Sequence, residues 1–373
     1  MELMVRGERP TVGAYYYCGW HRVSGRPHCL TEWELVVGAV PRFRGHMQPH
    51  VPLLGPYDDS SPATLRLQKW LARSFGIDFF CFGVFWDHGV RYFEAPLDGA
   101  FLREEMGPSL PFCVMWANRL PRKVLPVRVR PKVVIEESRR VRTDIRDFLS
   151  MVMEFERLYF CHPDYVTMEG APLFLIFDST FFIRELGIQG AREAIKGARD
   201  YLIKKGYPRG LYLVAVNPVL NTTIHGERAI EIYGEVGFDA ITHYVYLPHW
   251  KGAYLQDYVE LMEERAKEWG VFKQQSQLPY FPSIATGWDA TPRAAVYKNI
   301  HPRRYPWWPV VVGNNPVAFG HYLGKALDFS RENAPCSLAF VASWNEWSEG
   351  HYLEPCTQWG FGWLSSVRAA KGV

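Results

Sequence analysis

Eight short apolar segments, separated by stretches of helical periodicity, constrain the fold of this chain more than any other feature. They span residues 11–18, 78–86, 111–118, 172–178, 211–217, 240–246, 280–289 and 338–345. They are rich in β-branched and aromatic residues, and most are apolar on both faces, as parallel strands covered on both sides should be. Between them, helical patterns occupy residues 62–75, 143–158, 189–205, 226–236, 254–269 and 316–333.

This alternation predicts an α/β fold, specifically a (β/α)8 TIM barrel. Eight units without a break in composition favour one closed barrel over residues 1–373 rather than an open doubly wound sheet. Apolar residues make up 48% of the chain, which is enough for a large core. Two long connections, residues 19–61 and 119–142, follow strand ends at the face where barrel enzymes hold their active sites.

Composition argues against several classes of partner. Charged residues make up 22% of the chain and the net charge is +3, so neither nucleic acid nor a membrane surface is an expected partner. No apolar run is long enough to enter a membrane. The Gly-x-Gly-x-x-Gly and Gly-x-x-x-x-Gly-Lys-Ser/Thr patterns are absent, so we expect no nucleotide cofactor. Nothing in the sequence indicates the oligomeric state.

The expected compartment is the cytoplasm. The first residues carry acids and no apolar core of a signal peptide. The seven cysteines are an odd number, contain no Cys-x-x-Cys pair and lie partly inside apolar runs, which is typical of free buried thiols in a reducing environment. A leader removed before this sequence begins would instead make the protein a secreted one.

Acidic, amide and aromatic residues stand at the ends of the predicted strands. In a barrel these ends meet at one mouth. Carboxyl groups that move protons, beside aromatic faces that cover sugar rings, are the groups that glycosidic chemistry requires. We therefore expect an oligo- or polysaccharide substrate, bound by Trp86, Trp116, Asn118, Asp178, Tyr244, Tyr246, Trp288, Asp289, Trp344 and Asn345.

The strongest single signal is the pair Glu346 and Glu349, within Trp-Asn-Glu-Trp-Ser-Glu-Gly after the eighth strand. Two glutamates so close together are costly to bury unless they are paired or exposed. They could be rim residues in salt bridges. In a shared cleft, however, their pKa values would separate and make one carboxyl an acid and the other a base.

The histidines give weaker signals. His46 and His50 are four residues apart, but Pro49 argues against a helix and no third ligand is evident, so we expect no metal site. His21 and His28 flank a loop, where hydrogen bonding within the loop is the simpler interpretation. His21 is still counted as a candidate substrate-binding residue.

A series of short motifs, in a specific order, extends over nearly the whole chain. The motifs are Thr31-Glu32-Trp33, Gly45-His46, Gln48-Pro49-His50, Tyr57-Asp58, Pro111-Phe112-Cys113, Trp116-Ala117-Asn118, Gly170 with Pro172, Trp288-Asp289, Pro292-Arg293, and residues 344–350 continuing to Leu353-Glu354-Pro355. In these pieces the chain resembles the WbsX-like and glycoside hydrolase family 99-like proteins. That group is found in bacterial polysaccharide loci and is related to endo-α-mannosidases.

The resemblance implies a (β/α)8 barrel and retaining hydrolysis of an α-mannoside-like linkage. Glu346 would be the base that deprotonates the sugar 2-hydroxyl, which then attacks the anomeric carbon to give a 1,2-anhydro sugar. Glu349 would be the general acid and then the general base. The residues implied to hold the sugar are Glu32, Trp116, Asn118, Tyr244 and Asp289, and Trp33 beside Glu32 is a further candidate.

Two departures from the family pattern lie in the implied sugar site. Cys18 and Gly19 stand where the family usually has Pro-Gln, and Arg119 follows Trp116-Ala117-Asn118 where the family has Glu. Arg119 in place of an acid would favour an anionic sugar. Two other functions remain open: a glycosyltransferase, for which no nucleotide-sugar motif is visible, and a non-catalytic carbohydrate-binding barrel.

Overall fold

A computed structural model of the chain describes residues 1–3, 9–23, 31–103, 107–121, 125–129, 139–297 and 302–373. His28 and parts of both long connections lie outside the described residues. All eight predicted strands and all six predicted helices fall inside them.

A closed barrel of eight parallel strands forms the centre of the molecule. The strands are β1 (Thr11–Tyr16), β2 (Phe79–Asp87), β3 (Phe112–Trp116), β4 (Ala171–Ile176), β5 (Tyr212–Val216), β6 (Ala240–Thr242), β7 (Tyr280–Phe281 and Ser283–Ala285) and β8 (Leu338–Ala342). The first part of β7 pairs with β6, its second part pairs with β8, and β8 pairs with β1. These pairings close the sheet on itself and confirm the predicted fold class.

Eight α-helices accompany the barrel in the described part of the chain. They are α1 (Trp33–Val37), α2 (Pro62–Ser74), α3 (Ile145–Phe155), α4 (Ser179–Lys204), α5 (Ala229–Val236), α6 (Tyr258–Ser276), α7 (Pro316–Asn333) and α8 (Gly362–Lys371). Between β2 and β3 the connection contains a π-helical segment, Ala95–Phe101. Helix α4 is broken at Gly187, whose φ of 73° and ψ of 165° are not helical, so its second part begins next to the predicted start at residue 189. The additional first part is capped by the Asp178 side chain, which accepts the backbone N–H of Phe181.

Short strands outside the barrel shape its two ends. Glu2–Leu3 pairs with Thr167–Met168, and Val90–Tyr92 pairs with the end of β2. Thr223–Ile224 pairs with Glu227–Arg228, and Leu255–Asp257 pairs with Val310–Val312. Asn345–Glu346 pairs with His351–Tyr352. Glu346 lies in the last of these pairs, and Glu349 lies in the turn that joins its two strands.

Aromatic side chains fill the barrel interior. The ring of Tyr15 stacks on Phe340 with centroids 5.1 Å apart, and the Tyr15 hydroxyl donates to the backbone oxygen of His243 at 3.0 Å. Phe79 packs edge-on against Phe340. Such large fully buried rings make the barrel a packed core, which leaves only its mouth open to a ligand.

Several strands end earlier than the apolar pattern predicts. Strand β6 stops at Thr242 rather than at residue 246, and β7 stops at Ala285 rather than at residue 289. Beyond these points side chains replace the sheet as backbone partners. The N–H of Tyr244, for example, donates to Oδ1 of Asn217 at 3.1 Å. Apolar character continues past the strand ends because the mouth itself is lined with aromatic residues.

All six described cysteines are free thiols. Five of them are buried, and Cys161 is exposed. Within the described residues, no helix combines the length and the apolar character needed to cross a membrane.

Candidate active site

The two candidate glutamates lie on a tight hairpin after β8. Asn345–Glu346 forms one arm, a 3-10 turn over Trp347–Glu349 follows, and His351–Tyr352 returns antiparallel. Gly350 closes the turn with a φ of 71°, and a Cβ there would lie 2.7 Å from the backbone nitrogen of Asp289. Only glycine fits this position, because both the left-handed backbone and the close approach exclude a side chain.

Arg293 lies at the centre of the site and joins three carboxylates. It follows β7 on the 3-10 segment Thr291–Arg293. Its Nη2 donates to Glu346 at 2.7 Å and to Glu32 at 2.9 Å, and its Nη1 pairs with Glu349. The guanidinium is almost fully buried, with 9% of the side chain exposed. Three loops, after β1, β7 and β8, therefore meet at one cation.

The charges in this cluster do not balance. One guanidinium faces Glu32, Glu346 and Glu349, so three ionised carboxylates would leave an excess of two negative charges in a buried site. Burial raises the pKa of Glu346 well above its usual range, and the neighbouring Glu349 and Glu32 add to the rise while Arg293 opposes it. Burial also acts to raise the pKa of Glu349, but Arg293, His351 and Tyr305 outweigh it and hold the value at about 2.

The two pKa values are therefore shifted in opposite directions, upward for Glu346 and downward for Glu349, so a proton shared by the pair favours Glu346. This separation of pKa values is what an acid–base pair requires. The order is the reverse of the roles that the family resemblance implies, in which Glu346 is the base. Arg293 contacts both carboxyls, so a proton that passes between them leaves the charge facing Arg293 unchanged.

Hydroxyl groups complete the cluster. The Tyr305 hydroxyl donates to Glu349 at 2.7 Å, and the Tyr17 hydroxyl donates to Glu32 at 2.6 Å. Ser348 donates to Glu32 at 2.8 Å. Each of these hydrogen bonds goes to a charged acceptor, the kind that contributes most to fixing a side chain in place.

His351 and Trp288 form a wall beside Glu349. Nε2 of His351 lies 3.5 Å from Oε2 of Glu349, and its ring stacks on Trp288 with centroids 5.7 Å apart. Burial lowers the pKa of His351, and the neighbouring Glu349 opposes that effect without reversing it, so the ring is neutral at pH 7. Tyr244 meets the edge of the same imidazole, and burial beside Glu346 and Glu349 raises the pKa of its hydroxyl.

Two of the predicted sugar-binding residues connect loops. Both amide atoms of Asn345 bond the backbone of Tyr17, at 2.8 and 3.0 Å, which joins the β8 and β1 loops. Asp289 accepts from His46 at 2.7 Å and from Gln48 at 2.5 Å, which joins the β7 and β1 loops. The pKa of Asp289 is lowered because these donors outweigh its burial. His46 and Gln48 thus hold the mouth together through a carboxylate.

Three predicted aromatic residues face the helices rather than the mouth. Trp86 donates from its indole to Asp147 of α3 at 2.9 Å. Trp116 is fully buried between Phe148 of α3 and Phe182 of α4. Tyr246 donates to Glu268 of α6 at 2.5 Å. Side chains alternate between the two faces of a strand, so a residue near a strand end need not point into the barrel.

Two further tryptophans lie beneath the mouth. Trp33 packs against Trp20 with centroids 4.0 Å apart and donates to the backbone of Tyr57 at 2.6 Å. Trp344 is fully buried and packs against Phe80. Both rings support the loops that carry Glu32 and Glu346 and are closed to a ligand by their neighbours.

The ends of β3 and β4 form a separate polar cluster. Asn118 is fully buried, and its amide bonds the backbone N–H and C=O of Asp178 at 2.8 and 3.0 Å. Arg119 donates from two nitrogens to the Asp178 carboxylate, and Arg140 lies 3.5 Å from the same oxygen. Two cations therefore share one anion on a rim where about a third of each arginine side chain is exposed.

His21 forms a hydrogen bond within the loop after β1, which was the simpler of its two interpretations. Its Nδ1 lies 2.7 Å from the buried carboxylate of Asp59, which also accepts the backbone N–H of Trp20. The imidazole helps to fix the loop after β1. Its side chain is 13% exposed, so it has little surface to offer a ligand.

The predicted site residues did not include Arg293, Tyr305, Ser348 or His351. Arg293 was visible within the Pro292-Arg293 motif, and Ser348 and His351 lie in or next to the glutamate segment. A buried acid pair needs a cation, which is a signal that could have pointed to Arg293. Tyr305 has no local signal, because only the folded loop after β7 brings it to Glu349.

Solved structures with the same fold are glycoside hydrolases by their descriptions. The GH99 endo-alpha-mannosidase from Bacteroides thetaiotaomicron in complex with bis-tris-propane superimposes with a TM-score of 0.58 at 14% identity, covering 96% of this chain and 95% of that chain. A protein described as glycoside hydrolase-like gives a TM-score of 0.59 at 14% identity, covering 99% and 96% of the two chains. At this identity the likeness establishes the fold alone.

Sequence comparison gives the family. The uncharacterized protein WxcX of Xanthomonas campestris pv. campestris is 26% identical over 363 residues, covering 91% of this chain and 46% of that protein. The chain thus spans about half the length of the curated relatives it matches. The family model described as glycosyltransferase WbsX matches residues 25–367. Since that match covers most of the barrel and every residue of the glutamate cluster except Tyr17, the chain belongs to the WbsX family.

Proposed function

We propose that this protein hydrolyses a glycosidic bond in an oligo- or polysaccharide, with Glu346 and Glu349 as the catalytic pair. One observation carries the proposal: two buried carboxyls at the mouth of a barrel share Arg293 and have pKa values shifted in opposite directions. Structural salt bridges at a rim would be exposed and evenly ionised. A functional acid–base pair is held in this way.

The reaction proceeds in two steps. In the first, one carboxylate takes the proton of the sugar 2-hydroxyl, O2 bonds to the anomeric carbon, and the bond to the leaving oxygen breaks. The other carboxyl gives its proton to that leaving oxygen. In the second, water attacks the anomeric carbon and loses a proton to the carboxylate that acted as the acid. The bond between O2 and the anomeric carbon breaks, and O2 recovers a proton from the other carboxyl. Two inversions retain the anomeric configuration.

The roles implied by the family resemblance require the proton to lie on Glu349 when substrate is bound. In the ligand-free protein the opposite shifts of the two pKa values favour the proton on Glu346. A substrate hydroxyl that donates to Glu346 would stabilise its ionised form and favour transfer of the proton to Glu349. We propose that substrate binding changes the protonation order in this way. Glu32, Tyr244 and Trp288 then border the reacting sugar.

The linkage proposed is an α-mannoside or one with the same arrangement at C1 and C2. The 1,2-anhydro route needs a 2-hydroxyl opposite to the leaving group, and α-mannosides have it. The structural neighbour described as an endo-alpha-mannosidase supports this choice. Glycosyl transfer is the second candidate, favoured by the description of the family as glycosyltransferase WbsX.

A hydrolysis screen on a glycan library, read by mass, tests the proposal with Glu346→Gln and Glu349→Gln beside the wild type. Each variant should lose turnover while keeping its fold, and the exposed Glu332→Gln should behave as wild type. The general-acid variant should retain turnover of an aryl α-mannoside with an activated leaving group, because such a group needs no proton. Normal activity in either variant rejects the pair. Mass gain by an acceptor from a nucleotide-sugar would identify a transferase instead.

A further inference from the structure

A cavity beside the glutamate hairpin is lined by the loops that follow β7 and β8. Its volume is about 340 Å³, and its lining includes Trp288, Asp289, Gly350 and Tyr352 together with residues of the loop after β1. Neither Glu346 nor Glu349 lines it. The cavity is therefore separate from the carboxylate cluster and shares one wall with it. Its size falls in the range of small-molecule sites and exceeds what a single water needs.

Two buried indole groups on the lining carry hydrogen-bond donors without acceptors. The Nε1 atoms of Trp288 and Trp363 have no partner among the described residues, although the two side chains are only 5% and 2% exposed. A buried donor without an acceptor is uncommon and calls for a ligand or ordered water. Both tryptophans line this one cavity. The missing acceptors are therefore expected inside it.

The lining also contains neutral polar and aromatic groups beside the aliphatic side chains of Met47 and residues 310–312. Asn314 and Gln358 contribute amides, and the half-buried ring of Trp359 packs edge-on against Trp363. Burial lowers the pKa of His50 and keeps its imidazole neutral. Asp289 acts to raise this pKa, and His46 acts to lower it further. The lining contains no lysine or arginine.

The charge of the lining excludes an anionic ligand. Asp289 is the ionised group there, and its pKa is lowered, so it stays negative over the whole neutral range. A phosphate or carboxylate would meet this charge without a lining cation to offset it. Amides, indole N–H groups and an aromatic face instead match the hydroxyls and the C–H face of a neutral sugar.

We propose that this cavity binds a neutral pyranose. The sugar is a non-reacting unit of the same glycan that the protein cleaves, a point that rests on the proposed function. Trp288 links the two sites, because it lines the cavity and stacks on His351 beside Glu349. A pyranose bound in the cavity orients the rest of the glycan toward the carboxylates, with Trp288 as the wall between the two sites.

The experiment uses the full chain and four probes: methyl α-D-mannopyranoside and D-galactose as neutral sugars, D-glucuronate and orthophosphate as anions. Binding is followed by tryptophan fluorescence, and crystals soaked with each of the four probes show whether that probe occupies the cavity or another site such as the rim at Arg119 and Arg140. We expect at least one neutral sugar to bind in the cavity, and neither anion. Gln358→Ala and Trp359→Ala should weaken that binding about tenfold, as loss of one good contact would. Trp70→Ala removes an exposed tryptophan that does not line the cavity and should change nothing.

The outcomes separate this inference from the proposed function. If no neutral sugar binds in the cavity, if the anions bind there equally well, or if Trp70→Ala has the same effect as Trp359→Ala, the cavity is not a sugar site. Glu346→Gln should bind the neutral sugar as the wild type does. Hydrolysis that depends on Glu346, without any sugar in the cavity, overturns the inference alone. Sugar in the cavity together with unchanged hydrolysis by Glu346→Gln overturns the proposed function alone.

Discussion

Replacing Arg293 with methionine should make the stability of this protein depend on pH in a new way. The substitution keeps much of the side-chain volume and removes the cation that Glu32, Glu346 and Glu349 share. Loss of one partner from a buried ion pair costs about 3–5 kcal/mol at neutral pH. With an unfolding entropy of about 2.1 cal/mol/K per residue, a chain of 373 residues should lose roughly 4–6 °C in Tm.

The dependence on pH follows from the pKa of Glu349. In the wild type this pKa lies at about 2, below its ordinary value of 4.5, so the carboxylate contributes stability above pH 4.5 that is lost as the pH falls toward 2. Without Arg293, burial and the two neighbouring carboxylates raise the pKa. The sign then reverses: the variant is stable while the carboxyls are protonated and loses stability as the pH rises through their raised pKa values.

Thermal unfolding at about pH 4.5 and about pH 7.5 measures the effect, and the deficit in Tm should be clearly larger at the higher pH. Arg265→Met is the matched control, since Arg265 is equally buried but pairs with the single, partly exposed Glu268. Its deficit should change little between the two conditions. A deficit for Arg293→Met that is the same at both pH values would refute the charge argument, as would an equal change in the control.

Two further predictions concern residues around the same mouth. Burial raises the pKa of Glu354 to about 7. The free energy of unfolding should therefore fall by about 3 kcal/mol as the pH rises from 4.5 through 7. Chemical unfolding of Glu354→Gln at several pH values should show no such dependence of stability on pH. A slope that survives in the variant would show that another group causes it. Arg119 and Arg140 share the one carboxylate of Asp178, which leaves a net positive charge on the rim. Calorimetry should therefore show that Arg119→Ala binds uronic or sulfated sugars about tenfold more weakly and binds neutral sugars as the wild type does. Equal binding of both sugar classes by wild type and variant would end the anionic-sugar hypothesis.

The raised pKa of Glu354 has a structural explanation that bears on the catalytic hairpin. Its carboxyl is buried and accepts from Tyr57 at 2.6 Å, from Gln68 at 2.7 Å and from Trp347 at 2.8 Å. All three donors are neutral, so they only partly offset the cost of burying the charge. Trp347 lies between the two proposed catalytic glutamates in sequence, so its hydrogen bond to Glu354 helps to fix the hairpin that carries them.

The sequence by itself determined the barrel and the position of its chemistry. Apolar runs of strand length that alternate with helical periods leave few other folds, because parallel strands must be covered on both faces. Glu346 and Glu349 were also recognisable from the sequence, because ionisable residues among apolar ones are costly to bury unless a charged partner or a functional role accounts for them. Helix α7 was predicted to the residue, since Pro316 after the capping Asn315 marks its start.

Only the tertiary structure decided which strand-end residues meet. A strand directs successive side chains to opposite faces, so Trp86 of β2 and Trp116 of β3 contact helices rather than the mouth. Tyr246 lies beyond the end of β6 and contacts α6. Arg293 and Tyr305 reach the glutamates from the long loop after β7, at sequence separations of 53 and 44 residues. No local pattern encodes such contacts, because they depend on where the closed barrel places each loop.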